Sequence, residues 1–158
     1  MGRKMKRILL TGMSGTGKST VLRMLSSDDT ITIDLDNSEW IEKNPLTGER
    51  QFRIQSLLEY MWKHSDKNIV LAGCEANQVE LYHSLDAVIL MTAPLSVMEE
   101  RIKRRKNNPF GKSDSEWAQI VADKENIEPL LANRCTYICH TDRPVHEVVI
   151  DISRFIRQ

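Results

Sequence analysis

Residues 12–19 of this chain read Gly12-Met13-Ser14-Gly15-Thr16-Gly17-Lys18-Ser19, and Thr20 follows them. Two glycines with four residues between them, followed by Lys and Ser, form the pattern of a phosphate-binding loop. The apolar stretch Arg7–Thr11 predicts a buried strand before the loop, and helical spacing of apolar residues predicts a helix after it. Strand, loop and helix is the context that the motif requires. A glycine-rich turn that merely closes a strand is the alternative.

The residue types in this stretch suit a bound polyphosphate. Glycines allow backbone conformations in which successive N–H groups point at phosphate oxygens, and the start of the helix adds a positive dipole end. Lys18 is expected to reach the β- and γ-phosphates of ATP, and the Ser19 hydroxyl to bind Mg²⁺. The expected nucleotide-binding residues are Gly12, Met13, Ser14, Gly15, Thr16, Gly17, Lys18, Ser19 and Thr20.

Composition favours one domain, residues 1–158, with an ordinary core. Lys plus Arg equals Asp plus Glu, so bulk attraction to nucleic acid is not expected. No apolar run is long enough to span a bilayer, and the basic segment Met1–Arg7 lacks a signal-peptide core. Three cysteines at irregular spacing favour reduced thiols and a cytoplasmic protein. We expect no membrane partner and a monomer or weak homodimer.

Strands and helices are predicted to alternate along the whole chain. The four further strands are predicted at residues 30–36, 68–74, 86–91 and 136–140. Helices are predicted to start near Asn37 and to run over 52–62, from Pro94 to Lys106, over about 115–131 and over 145–156. Apolar strands that alternate with helices indicate an α/β fold in which a five-stranded parallel sheet is covered on both faces.

Sheets of this kind bind their ligands at the carboxyl ends of the strands. The second predicted strand has two carboxylates at that end. Asp34 is predicted to hold Mg²⁺ opposite Ser19, and Asp36 to hold or deprotonate an acceptor hydroxyl. The alternative to these roles is that one of the two carboxylates only caps the next helix. Arg101 and Arg104, three residues apart, are interpreted as a clamp on the transferring phosphoryl group, with a solvated helix end as the alternative.

A phosphate-binding loop serves switches, motors and kinases alike. A guanine-nucleotide switch is expected to carry an Asn-Lys-x-Asp motif, which is absent from the sequence. A motor ATPase is expected to be larger and to have an acidic residue at the end of an apolar strand, whereas the third predicted strand ends Ala72-Gly73-Cys74. A kinase therefore remains the favoured class.

The chain resembles the small P-loop kinases, with shikimate kinase, gluconate kinase and adenylate kinase as relatives. The resemblance rests on the phosphate loop, on Asp34-Leu35-Asp36, and on Gly48-Glu49-Arg50-Gln51-Phe52-Arg53, which is similar to a Gly-Glu-x-x-Phe-Arg motif of shikimate kinases. The family's Gly-Gly-Gly is replaced by Ala72-Gly73-Cys74, and its lid motif by Asn107–Lys112. The resemblance implies a three-layer P-loop NTPase fold with a short helical lid at about 105–115.

The resemblance also implies site roles. Arg53 and Gly73 are expected beside the acceptor together with Asp36, while Asp142 and Arg143 are expected to flank the adenine. The implied activity is transfer of the ATP γ-phosphate, with Mg²⁺, to a hydroxyl or phosphate of a small molecule. The alternatives are a nucleoside or nucleotide monophosphate kinase, or a regulatory nucleotide-binding module with slow ATP hydrolysis.

Overall fold

The computed structural model describes residues 4–158, so the first three residues of the basic segment Met1–Arg7 lie outside it. Its strands are β1 Arg7–Thr11, β2 Thr30–Asp34, β3 Ile41–Lys43, β4 Arg50–Phe52, β5 Asn68–Ala72, β6 Ala87–Thr92 and β7 Tyr137–His140. Five of them form one sheet in the order β2-β5-β1-β6-β7, and every pair in it is parallel. The predicted five-stranded parallel sheet is confirmed.

Six α-helices accompany the strands in the described part of the chain. They are α1 Lys18–Leu25, α2 Ile54–Lys63, α3 Leu95–Arg104, α4 Asp114–Asn126, α5 Glu128–Arg134 and α6 Val145–Arg157. Two 3₁₀ helices lie at Ser38–Trp40 and Ala76–Ser84.

The core is divided between the two faces of the sheet because side chains alternate along a strand. Ile8 and Leu10 of β1 pack in a cluster with residues of α1 and α6, such as Leu22 and Ile152. Leu9, between them, packs in a second cluster with residues of α2 and the second 3₁₀ helix. Helices therefore cover both faces of the sheet, which gives three layers. The strand order makes β1 the central strand, so the loop that follows β1 begins at the middle of the sheet.

The segment after β2 differs from the prediction. A helix was expected to start near Asn37, but one 3₁₀ turn leads into an antiparallel hairpin of β3 and β4. Two strands of three residues are too short to show an alternating pattern, which explains the error. Phe52, expected in a helix, ends β4 and is completely buried, and α2 begins two residues later at Ile54.

The helix expected over about 115–131 is two helices. Pro129 stands in the first turn of α5, where its missing N–H costs nothing, but it cannot continue the hydrogen bonding of α4. The segment predicted as the lid runs as a loop from Arg105 to Ser113 and enters α4 at Asp114. None of the helices in residues 4–158 has the length and apolar character needed to cross a membrane. Cys74, Cys135 and Cys139 are free thiols.

Candidate active site

The loop between β1 and α1 has the shape that the sequence pattern predicts. Gly12 has a φ of +144°, and a Cβ there would lie 2.3 Å from the carbonyl oxygen of Met91, so a side chain is excluded. Thr16 is buried, and its hydroxyl donates to the Met13 carbonyl at 2.8 Å. The loop is therefore held closely against β6, with its backbone at the mouth of a cleft.

Lys18 lies inside this loop. Its ammonium donates to the carbonyl oxygens of Gly12 at 2.6 Å and Met13 at 2.9 Å. Burial lowers the pKa of Lys18, and the nearby Cys74, Asp36 and Asp34 oppose that shift. The lysine is thus positioned to exchange two carbonyl acceptors for phosphate oxygens, which are charged and therefore stronger partners.

The two predicted carboxylates lie beside the loop. The Ser19 hydroxyl donates to Asp34 at 3.2 Å, and the same carboxylate accepts the backbone N–H of Asp36 at 3.1 Å. The strand ends at Asp34, so Asp36 belongs to the following turn, where it is exposed and lines the cleft. A hydroxyl and one carboxylate, completed by phosphate oxygens and water, match the sparse protein ligation that Mg²⁺ prefers. In the described residues no group of three His, Cys, Asp or Glu could hold a metal on its own.

Arg101 and Arg104, in the last turn of α3, both line the cleft but have different contacts. Arg101 donates to Gly15 O at 3.5 Å and to the Thr141 hydroxyl at 3.0 Å, and it also bonds the Thr141 carbonyl. Burial lowers its pKa, and Asp142 opposes the shift. Arg104 lines the cleft but is exposed and paired with Glu100.

Arg105 is a cleft residue that the sequence did not single out. Its guanidinium donates to the Ser14 hydroxyl at 3.2 Å and to the carbonyl oxygens of Asn108 at 3.0 Å and Phe110 at 2.5 Å. Burial lowers its pKa. Arg105 thus connects the phosphate loop to the predicted lid segment. It stands in a run of basic residues whose spacing alone gives no reason to prefer it.

The part of the cleft beside Asp36 contains a further arginine that the sequence did not indicate. Arg50 Nε donates to Glu75 at 2.7 Å, and its terminal nitrogen lies 3.3 Å from Asp36. Burial raises the pKa of Glu75 against the opposing effect of Arg50. Arg53, expected here, donates to the Ile41 carbonyl at 3.2 Å and lies 3.8 Å from Glu42. Of the two arginines, Arg50 lines the cleft and Arg53 does not.

Gly73 is buried rather than presented to the cleft. A Cβ at Gly73 would meet the Phe52 ring at 2.9 Å and the Leu35 Cβ at 3.0 Å, so close packing requires glycine here. Its neighbour Cys74 lines the cleft and is half-buried. Contact of Gly73 with an acceptor therefore stays a prediction.

The opposite end of the cleft is bordered by the turn after β7. Arg143 lines the cleft, but its guanidinium donates to Asp151 at 2.7 Å and to the His140 carbonyl at 2.8 Å. Asp151 of α6 also accepts the Tyr137 hydroxyl at 2.7 Å and pairs with Arg154. Asp142 lies close enough to Arg101 to affect its pKa, but it does not line the cleft.

Together these residues surround one open cleft of about 1670 Å³ at the carboxyl ends of the strands. The nine residues of the stretch Gly12–Thr20 all line it. The stretch predicted as a phosphate loop thus lies at this cleft, whereas the cleft positions of Arg50 and Arg105 are visible only in three dimensions.

Known proteins share this fold. A family model described as an AAA domain matches residues 8–122. A shikimate kinase structure from Bacteroides thetaiotaomicron is 20% identical with a TM-score of 0.69, covering 97% of this chain and 99% of that chain. One from Acinetobacter baumannii in complex with shikimate is 17% identical with a TM-score of 0.67, covering 97% and 93%. A gluconokinase from Sinorhizobium meliloti 1021 is 17% identical with a TM-score of 0.58, covering 99% and 94%. No curated protein matches the sequence. At these identities the structures establish the fold, which is that of the small P-loop kinases.

Proposed function

The chain belongs to the AAA domain family, and from that premise we propose that residues 1–158 act as a single ATP-dependent kinase domain for a small molecule. The γ-phosphate of ATP is transferred to a hydroxyl of the acceptor. The observation that carries this proposal is the position of Asp36. It lines the same cleft as the phosphate loop, two residues beyond the carboxylate that accepts the Ser19 hydroxyl.

The reaction needs an acceptor oxygen in line with the γ-phosphorus. Asp36 holds the acceptor hydroxyl and takes its proton as the oxygen attacks. The new bond forms between that oxygen and the γ-phosphorus, the bond to the bridging oxygen breaks, and ADP leaves. Lys18, Arg101 and Arg105 neutralise charge that builds on the phosphate oxygens, which is the main protein contribution to phosphoryl transfer.

Ser19 and Asp34 would hold Mg²⁺, which supplies charge neutralisation at the phosphate oxygens when it is bound. The oxygen chemistry of this pair, a hydroxyl 3.2 Å from a carboxylate, supports that assignment. Because the pair lies at the end of β2 and the start of α1, both groups sit on regular elements of the scaffold.

The experiment is a panel of hydroxylated metabolites incubated with Mg·ATP, with phosphorylated products identified by mass spectrometry. A kinase forms ADP and phosphorylated acceptor in equal amounts, and the Lys18→Ala protein forms neither. ADP that accumulates at the same slow rate with every acceptor, and no phosphorylated product, would instead favour a regulatory module that hydrolyses ATP.

A further inference from the structure

Charged side chains are unevenly distributed along the cleft. Six of its cationic side chains lie at the nucleotide end: Lys18, Arg23, Arg101, Arg104, Arg105 and Arg143. The acceptor end, formed by the turn after β2, the β3–β4 hairpin, the second 3₁₀ helix and α4–α5, carries four carboxylates and two arginines. The carboxylates are Asp36, Glu49, Glu75 and Asp123, so this end has a net charge of −2.

The two arginines of the acceptor end already have partners. The Arg50 guanidinium lies between Glu75 and Asp36, at 2.7 and 3.3 Å. The guanidinium carbon of Arg134 lies 5.9 Å from the centre of the Tyr82 ring, over its face. A carboxylate or phosphate on the acceptor would compete with Asp36 and Glu75 for Arg50 and would face the remaining carboxylates. An anionic acceptor is therefore electrostatically disfavoured.

The walls of the acceptor end are apolar. Val79 of the second 3₁₀ helix is 38% exposed, while Ile127 and Leu130 at α5 are 37% and 64% exposed, and all three line the cleft. Tyr82 adds an aromatic face on the same wall as Val79. Apolar side chains that remain exposed in a cleft with a few polar groups are typical of sites for partly apolar ligands.

We propose that the acceptor is an alcohol that bears a cationic amine and an apolar group, and that it carries no carboxylate or phosphate. This inference rests on the proposed kinase function and specifies its substrate class. The ammonium binds beside Glu75 and shares this half-buried carboxylate with Arg50, which gives it a charged hydrogen bond. The hydroxyl lies at Asp36, and the apolar group lies between Val79 and Leu130.

The test compares three small probes that share a phenyl group and a hydroxyl: phenylalaninol, N-acetylphenylalaninol and 3-phenyllactate. They carry an amine, an uncharged amide and a carboxylate. Occupancy is measured, with Mg²⁺ and a non-hydrolysable ATP analogue present, as protection of the Cys74 thiol from iodoacetamide. Cys74 is half-buried beside Glu75, and the modification of its peptide is quantified against that of Cys135, which does not line the cleft.

We expect phenylalaninol to protect Cys74 at concentrations about tenfold lower than those that 3-phenyllactate requires. N-acetylphenylalaninol should require an intermediate concentration. In the Glu75→Gln protein, phenylalaninol should protect Cys74 only at concentrations close to those that N-acetylphenylalaninol needs. Glu80→Gln, an exposed carboxylate on the same 3₁₀ helix outside the cleft, should leave the order unchanged. Equal or better protection by the carboxylate, or protection by none of the probes, would overturn the inference.

Transfer of phosphate to the same probes is measured separately with ATP. A protein that is protected by the amine but phosphorylates no acceptor would retain the inferred ligand class and lose the proposed kinase function. A protein that phosphorylates an acidic acceptor would retain the kinase function and lose the inferred class.

Discussion

At the scale of single residues, Lys18 and Asp36 have different parts in the proposed reaction, in which Lys18 contacts ATP and Asp36 contacts the acceptor. The Lys18 ammonium donates to two carbonyl oxygens of its own loop, and burial lowers its pKa. Asp36 is exposed, its carboxylate contacts Arg50, and it lies close enough to Lys18 to oppose the lowering of that pKa.

Lys18→Ala should leave the fold intact while weakening triphosphate binding by about tenfold or more and lowering transfer by at least about 100-fold. Calorimetric titration with an ATP analogue and a coupled ADP assay measure the two effects. Lys103→Ala is the matched control, since Lys103 is exposed and contacts Glu99 at 2.9 Å. Unchanged turnover in the Lys18 variant would reject the assignment of this loop.

Asp36→Asn should reduce phosphoryl transfer far more than ATP affinity, by about 100-fold against less than about threefold, because the amide cannot take a proton. Steady-state kinetics and the affinity of the free protein for Mg·ATP separate the two. Equal losses in both quantities would move Asp36 from the acceptor to the metal.

At the scale of elements, α3 delivers the arginines. Its last turn points Arg101 at Gly15 and at the turn after β7, and the residue just beyond it, Arg105, contacts Ser14. The helix thereby joins the predicted phosphate loop, the predicted lid segment and the turn after β7. A shift of α3 would move all three contacts together.

Arg105→Ala should therefore lower transfer by about 100-fold, since it removes a cation that already touches the phosphate loop. Arg104→Ala should lower it by less than about threefold, because that side chain is exposed and paired with Glu100. Both are compared at saturating ATP and acceptor. The reverse order would favour the expectation from sequence that Arg104, together with Arg101, forms the clamp.

Much of this arrangement follows from sequence, and the exceptions have different causes. Mainly apolar runs such as Asn68–Ala72 are buried on both faces, so the strands and their parallel arrangement were predictable. The strands β3 and β4 are too short to show an alternating pattern, whereas Pro129 is a local signal that the prediction of one helix over about 115–131 passed over. The contacts of Arg50 join residues 14 and 25 positions apart in the chain, which local periodicity cannot show. The resemblance identified a Phe-Arg pair, yet the arginine three residues before Arg53 is the one in the cleft.

At the scale of the whole molecule, Asp151 joins the last strand to the last helix. It is 5% exposed and holds Tyr137, Arg143 and Arg154. Burial disfavours its charge, but the hydrogen bonds from these three partners outweigh burial and lower the pKa of Asp151 from 3.8 to about 2.

A lowered pKa in the folded state means that the ionised group stabilises the fold above pH 4. We expect this contribution, roughly 2 kcal/mol, to be lost as the pH falls from about 4 to 2. Asp151→Asn should lower the free energy of unfolding by about that amount at pH 7 and flatten its dependence on acid. Urea titrations between pH 2 and 7 measure both, with the exposed Asp28→Asn as control. If the free energy of unfolding of the Asp151→Asn protein still falls between pH 4 and 2 as it does in the unchanged protein, Asp151 is not the titrating group.

The hairpin between β2 and α2 has a consequence for the cleft. It is packed through Phe52 against the end of β5 and carries Arg50, while its tip, at Leu46, is 94% exposed. A change in the length or charge of this insert would therefore reshape the cleft wall beside Arg50 and Asp36 while leaving the stretch Gly12–Thr20 unaltered.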